Sequence, residues 1–290
     1  MTQIVPSLAR IATDYRAAFV DLWGCVHDGV RPFPEAVEAL RAFKAEGRIV
    51  VLLTNSPRPR LGVVAQLEAM GVPDDCWDTI ATSGDSARTA LFRGIVGRKV
   101  WSIGEFADFD FFDAPAIVAD PVAIERVPLD EAEGIVALGP EDPYADPAVY
   151  RPQFLAAKQR RLPLLCANPD IVVDRGERRE WCAGALAALY TEMGGESLYF
   201  GKPHPPIYDL ARRRLAEIAD VADDEILCIG DGARTDIRGA QGEGLDSLFL
   251  SGGLAAEETG TAEGGPDGAL LDAYLAAEQV APTYAMGRLR

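Results

Sequence analysis

Apolar positions along the first third of the chain switch between two periods. Ala17-Ala18-Phe19-Val20 is a short unbroken apolar run that closes at Asp21, and Arg48 to Asn55 (RIVVLLTN) is a longer β-branched and aliphatic one. Unbroken runs of this length predict parallel strands covered on both faces. Between them, Pro34 to Glu46 sets Val37, Leu40 and Phe43 at helical spacing, and Gly47 follows as a stop signal. Leu61, Val64, Leu67 and Met70 mark a second helix, ended by Gly71. Strand and helix alternating in this way predict an α/β protein with a parallel sheet and right-handed crossovers.

The rhythm returns late. Pro205 to Ile218 is a predicted helix with Ile207, Leu210 and Leu215 on one side; Ile226 to Gly230 (ILCIG) and Ser247 to Ser251 (SLFLS) are short buried strands. The Gly-, Glu- and Ala-rich span 252–268 reads as loop with a helical piece, and the tail 282–290 offers a final short strand. Between Gly94 and Glu196 the pattern differs: Val100 to Ile103, Gly134 to Leu138 and Leu162 to Ala167 look like strands of a separate α/β unit, parted by Pro- and Asp-rich joints. Strand-terminal chemistry lies on both sides of this stretch, so residues 1–94 and 197–290 are expected to form one core, with residues 95–196 inserted in it.

Composition narrows the function classes. The 290 residues are 48% hydrophobic, enough for a sizeable core, and carry a net charge of −17. That charge argues against sequence-independent nucleic-acid binding, which needs a basic face. It also makes any lysine beside a candidate anion site informative. No apolar segment approaches the roughly 20 residues that span a bilayer, and the first residues lack a secretory layout. Cys25, Cys76, Cys166, Cys182 and Cys228 are scattered with no C-x-x-C pair, which reads as small buried hydrophobes in a reducing, cytoplasmic setting.

The chemistry-bearing segments fall at strand ends or helix starts: Asp21-Leu22-Trp23-Gly24, Thr54-Asn55-Ser56, Gly201-Lys202-Pro203, and Gly230-Asp231 with Asp236. In an open parallel sheet such ends converge on one crevice. Asp21 and Asp231 meeting there would repel, and a divalent cation is the natural way to keep both ionised. Magnesium, hard and oxygen-seeking, suits them. Lys202, beside a helix start, would offset negative charge as a point cation. Asp236 would bond a metal-bound water or Lys202, or would simply favour the start of its helix.

This ordered set resembles the motifs of the haloacid dehalogenase (HAD) superfamily, subfamily IIA, the NagD-like and p-nitrophenylphosphatase-like group. His27-Asp28-Gly29, Leu53-Thr54-Asn55-Ser56, Cys166 to Asp170 and Gly201 to Pro205 extend the likeness over nearly the whole chain. The resemblance implies a Rossmann-like core, Mg²⁺, an α/β cap inserted between the second and third motifs, and hydrolysis of a small phosphorylated metabolite. It implies Asp21 as nucleophile, passing through an aspartyl-phosphate. Thr54, with the amides of Asn55 and Ser56, would hold phosphoryl oxygens. The main-chain carbonyl of Trp23 would join Asp21, Asp231 and Asp236 at the metal. In the cap, Asn168 and Asp170 would face the leaving group. Small phosphorylated metabolites are the expected partners, with no nucleic acid and no membrane, and a homodimer left open.

One position departs from the family pattern. The second Asp of its Asp-x-Asp signature, the general acid, is Trp23, and losing such a group costs about 10²–10⁴-fold. His27 and Asp28 are nearby but read better as loop hydrogen-bonders. Dehalogenases lack the Gly-Asp retained at Gly230-Asp231, and carbon–phosphorus hydrolases need an insertion absent between Asp21 and Thr54. The rivals to a phosphatase are a scaffold that binds a phosphorylated ligand but turns over poorly, and a phosphotransferase to an acceptor other than water. Arg175, Arg178 and Arg179 read as a solvated face, Arg58 and Arg60 as reaching a second phosphate, and Trp181 and Tyr190 as core at helical spacing.

Overall fold

The computed structural model describes residues 2–106, 109–175, 178–262 and 265–290. The chain divides into two compact units, one of Met1–Thr54, Ala65–Ala81 and Lys202–Arg290, the other of Asn55–Val64 and Thr82–Gly201.

In the first unit one sheet runs in the order Gln3–Ile4, Tyr284–Met286, Asp246–Leu250, Ile226–Gly230, Ala17–Val20, Ile49–Thr54, Thr79–Thr82. Ala17–Val20 pairs in parallel with Ile49–Thr54 on one side and with Ile226–Gly230 on the other. The chain thus builds outward from Ala17–Val20 in one direction first and returns later to build in the other. The order reverses between Ala17–Val20 and Ile226–Gly230, where Val20 lies beside Ile229. The crevice beyond the carboxyl ends of strands at such a reversal is where α/β sheets bind ligands.

The patterning explains the packing. All of Ala17–Val20 is buried, and Ala17 and Phe19 share a core with Val51, Leu53 and the helix Pro205–Ala216, through Ile207, Leu210, Ala211 and Leu215. That helix starts on Pro205 and carries Arg213 and Arg214 in its last turn, both suited to their ends of the helix dipole. Helix Pro34–Ala45 buries Val37, Leu40 and Phe43, the predicted stripe, together with Ala36, and Gly47 leaves it with φ 78°, a conformation open to glycine at little cost.

The second unit holds a five-stranded sheet ordered Glu196–Tyr199, Pro163–Cys166, Gly134–Ala137, Lys99–Ile103, Glu125–Arg126, parallel throughout. An antiparallel strand pair, Val172–Arg175 with Arg178–Trp181, stands beside it in the chain. Ala87, Leu91 and Phe92 pack with Val100, Val136 and Leu165, so this unit begins earlier in the chain than residue 95. Tyr190 is core on helix Ala183–Glu192, as expected, but Trp181 ends a strand and is only half-buried. Its apparent helical spacing from Tyr190 was coincidental.

Helix Ser83–Leu91 gave no apolar period, because its first two turns are small and polar (SGDSART). It starts instead on a cap, the Asp85 N–H donating to Thr82 Oγ1 at 2.9 Å. Helix Gly268–Glu278 likewise starts on Asp267, which accepts from the N–H groups of Ala269 and Leu270. The final strand is Tyr284–Met286. Among the described residues, no helix is long and apolar enough to cross a membrane.

Candidate active site

Asp21 is the first residue past the central strand, held by its N–H donating to the Ile229 carbonyl at 2.8 Å. Lys202, 2% exposed, places Nζ 2.5 Å from Asp21 Oδ1 and 2.7 Å from Asp236 Oδ1. Burial by itself would lower the lysine pKa, but the carboxylates of Asp21 and Asp236 outweigh it and hold the ammonium charged well beyond the ordinary lysine range. Asp236 sits in the wide turn Ala233–Ile237 rather than one regular helical turn after Asp231. Its other oxygen accepts from the Gly232 N–H at 3.1 Å and the Thr235 hydroxyl at 3.3 Å. The bond to Lys202 expected of Asp236 is formed.

Asp231 is buried. Burial first, then the charges of Asp21 and Asp236, push its pKa well above the carboxylate range, against the pull of Lys202 and the Leu254 N–H. Three buried acidic groups thus lie together, and Lys202 pairs with two of them, Asp21 and Asp236. Backbone presses against Asp231 from two loops: a Cβ at Gly24 (φ 77°) would lie 2.2 Å from its Oδ2, and one at Gly253 only 2.0 Å. Sequence reading missed Gly253, although it follows the strand Asp246–Leu250 and so lies beyond a carboxyl end of the same sheet.

Cys25 is buried, as the sequence predicts, but it also reaches the candidate nucleophile, which the sequence reading did not foresee. The turn after Asp21 curls back, with the N–H groups of Cys25 and Val26 both donating to the Leu22 carbonyl. This brings the Cys25 thiol to 3.8 Å from Asp21 Oδ2, where it donates. Its sulfur and one oxygen each of Asp21 and Asp231 lie within 4.8 Å of one another. The signal available in the sequence was its place four residues after the candidate nucleophile, in a glycine-containing turn.

Thr54 is buried at the end of the strand next to Asp21's, two residues past Leu52, which pairs with Val20. Asn55, Asn168 and Asp170 come together in the second unit. The Asn55 amide donates to Asp170 Oδ1 at 2.8 Å, and the Asp170 N–H donates to Asn168 Oδ1 at 3.0 Å. Gly201 is wedged there, since a Cβ would meet Asn55 Oδ1 at 2.5 Å and Pro169 at 2.7 Å. Ser56 accepts from the Gly84 N–H through its carbonyl and from the Arg58 N–H through its hydroxyl.

The Trp23 indole meets His27 edge to face at 5.4 Å and lies over Gly29, where a Cβ would be 2.4 Å from the ring. His27 Nδ1 accepts from the Gly29 N–H at 3.0 Å, which places the ring proton of the neutral form on Nε2. Asp28 accepts from the N–H groups of Val30 and Arg31. Slight burial opposes its charge, but those amides hold its pKa below the usual value. Both are loop hydrogen-bonders, as read from the sequence. Arg58 stacks on Phe106 and Phe109 at 5.4 Å from each ring centroid. Arg175 and Arg179 pair with Glu180 and Asp174 on an exposed face.

Comparison with known proteins matches two stretches of the chain to one family. A family model described as haloacid dehalogenase-like hydrolase matches residues 18–114, spanning Asp21 and Thr54; a HAD-hydrolase-like model matches residues 199–275, spanning Lys202, Asp231 and Asp236. The chain is similar to a crystal structure of a haloacid dehalogenase-like family hydrolase from Brucella suis 1330, with 39% identity, TM-score 0.85, and coverage of 99% of this chain and 100% of that one. Ribonucleotide monophosphatase NagD of Escherichia coli K12 is 26% identical over 235 residues, 80% of this chain and 85% of that protein. A glycerol phosphate phosphatase from Mycobacterium tuberculosis, solved in complex with magnesium, is 25% identical with TM-score 0.63, over 87% of this chain and 73% of that one.

Proposed function

The chain belongs to the haloacid dehalogenase-like hydrolases, in their NagD-like subfamily IIA, and on that premise we propose that it is a Mg²⁺-dependent phosphatase of a small phosphorylated metabolite. The observation that carries the reading is the convergence of Asp21, Lys202, Asp231 and Asp236 at the reversal of strand order.

Asp21 attacks phosphorus, and the ester P–O bond breaks as the leaving oxygen departs with the electron pair. Water then attacks the aspartyl-phosphate at phosphorus, yielding inorganic phosphate and the free carboxylate. Lys202 orients Asp21, and Asp236 keeps Lys202 in place. The Thr54 hydroxyl would hold a phosphoryl oxygen with the amides of Asn55 and Ser56. The donor set fits a divalent cation: the buried charge is in excess, and the Gly24 and Gly253 backbones cradle Asp231. Asp21, Asp231 and the Trp23 carbonyl would hold it, with Asp236 supporting them through Lys202. When bound, the ion neutralises charge on the phosphoryl oxygens and polarises phosphorus. All-oxygen donors favour magnesium.

The second unit is the cap in this reading, with Asn168 and Asp170 meeting the leaving group. Trp23 cannot exchange protons near neutral pH, and the hydrogen bonds of His27 and Asp28 supply no substitute acid. The protein should therefore prefer esters whose leaving oxygen departs unprotonated. The same observation favours a second reading, a slow enzyme whose main role is to hold a phosphorylated ligand.

Phosphate release from a panel of sugar, nucleotide and aryl phosphates, with and without Mg²⁺, tests the proposal. Turnover lost by at least about 10³-fold in Asp21→Asn is expected. Mg²⁺-dependent binding without turnover in both forms would favour the second reading, and turnover indifferent to Asp21→Asn would overturn the first.

A further inference from the structure

We propose that Cys25 gives the metal centre a sulfur donor, so that Asp21, Asp231 and Cys25 together take a thiophilic divalent cation, zinc or cadmium, in competition with magnesium. The inference rests on the metal reading above and adds a ligand to it.

Three observations meet at Cys25. Its sulfur is 3.8 Å from Asp21 Oδ2 and within 4.8 Å of the Asp231 donor oxygen. An ion about 2.0–2.2 Å from a carboxylate oxygen and about 2.3 Å from a thiolate separates the two donor atoms by about 3.5–3.8 Å at ordinary coordination angles. One ion can therefore bridge them with little movement. The three residues are the one such group of histidine, cysteine or acidic side chains among the described residues. The remaining cysteines are ordinary buried thiols: Cys76 sits on the Pro73 carbonyl and Cys166 on the Asn168 carbonyl.

Donor softness decides which ion benefits. A thiolate adds little for magnesium, which prefers oxygen ligands and keeps its waters, but strongly favours zinc and cadmium. As the sulfur–metal bond forms, the thiol proton leaves to solvent. Cys25 is 1% exposed, so an ion reaches it only by first occupying the two carboxylates. Bound in this way, the soft ion occupies the carboxylates that magnesium would use, and its bond to Cys25 resists displacement. The chain is thereby open to inhibition by thiophilic metals through a contact that a residue without sulfur at position 25 would not make.

The test titrates Cd²⁺ into the metal-free full-length protein and follows sulfur-to-cadmium charge-transfer absorption, with Mg²⁺ and Cd²⁺ affinities measured by calorimetry. Wild type is expected to bind one Cd²⁺ per chain with the band. Cys25→Ser keeps the size of the side chain and its donation to Asp21; it should lose the band and at least about tenfold in Cd²⁺ affinity, while Mg²⁺ affinity changes by less than about threefold. Cys25→Ala, checked for folding by circular dichroism, should behave alike. No band in wild type, or a band and affinity unchanged in Cys25→Ser, would overturn the inference. If Mg²⁺ binding still depends on Asp231 in that case, as judged with Asp231→Asn, the metal reading stands alone. If neither ion responds to Asp231→Asn, the metal reading falls and the inference with it.

Discussion

Replacing Lys202 with methionine keeps most of the side-chain volume and removes the ammonium that two carboxylates share. In the wild type that group is 2% exposed, 2.5 Å from Asp21 and 2.7 Å from Asp236. Taking one partner from a buried ion pair costs about 3–5 kcal/mol, because the other charge stays desolvated. Here two carboxylates lose their cation beside a third, so the upper end of that range is expected near pH 7.5. At about 2–4 °C per kcal/mol for a domain of this size, the melting temperature should fall by about 10–20 °C. The pH dependence carries the sign. Lys202 has its pKa raised in the fold, so its contribution is fully present below the ordinary lysine value of 10.5 and is lost only in strong alkali. In Lys202→Met, the carboxylates of Asp21 and Asp236 stay buried without the ammonium that both bond in the wild type, and acid relieves stranded carboxylates of this kind. The gap to wild type should therefore shrink as pH falls toward about 4, where the unfolded chain also protonates its carboxylates. Adding Asp236→Asn should recover part of the loss by removing one stranded charge. Chemical unfolding followed by circular dichroism at pH 7.5 and pH 4.5 reads all of this. A gap below about 1 kcal/mol at pH 7.5, or one that widens on acidification, would refute the reasoning.

Two further outcomes follow from the same geometry. Asp231 has its pKa raised in the fold, so the stability it contributes to the metal-free protein is full below 3.8 and declines as pH rises through its folded value; Mg²⁺ should therefore raise the melting temperature more at pH 8 than at pH 5.5, and Asp231→Asn should raise the metal-free value and erase the increment. Equal increments at both pH values would contradict this. Trp23→Asp restores a general acid and should raise turnover on alkyl phosphates by about 10-fold or more, and less on activated aryl phosphates. Steady-state kinetics with a thermal-stability control reads the ratio, the control being needed because the indole packs against His27 and Gly29; no change in a folded variant would mean that proton transfer does not limit the reaction.

The α/β class, the strands that carry Asp21, Thr54 and Asp231, and the helix after Lys202 were legible without coordinates. Parallel strands covered on both faces must be apolar throughout, and the polar residue that ends each one stands out against that run. The helices Ser83–Leu91 and Gly268–Glu278 were not legible, since the first starts on small polar residues and the second is apolar on most sides. The second gives no one-sided period on which a reading by eye depends, and the first has too few large apolar residues to mark one. Trp181 shows the converse, a spacing that looked helical in a residue that ends a strand.

Linear order alone was enough to nominate Asp21, Lys202 and Asp231, because their chemistry is tied to residue type and to position at a strand or helix end. It could not say that Lys202 would serve Asp21 and Asp236 at once, that Gly253 would press on Asp231, or that Cys25 would turn its sulfur toward the attacking carboxylate. Those relations join residues as far apart as 21 and 236, or depend on how one tight turn folds back. They arise only when the parallel sheet brings its carboxyl ends together, because distance and burial, which set charge and coordination, are properties of the packed chain.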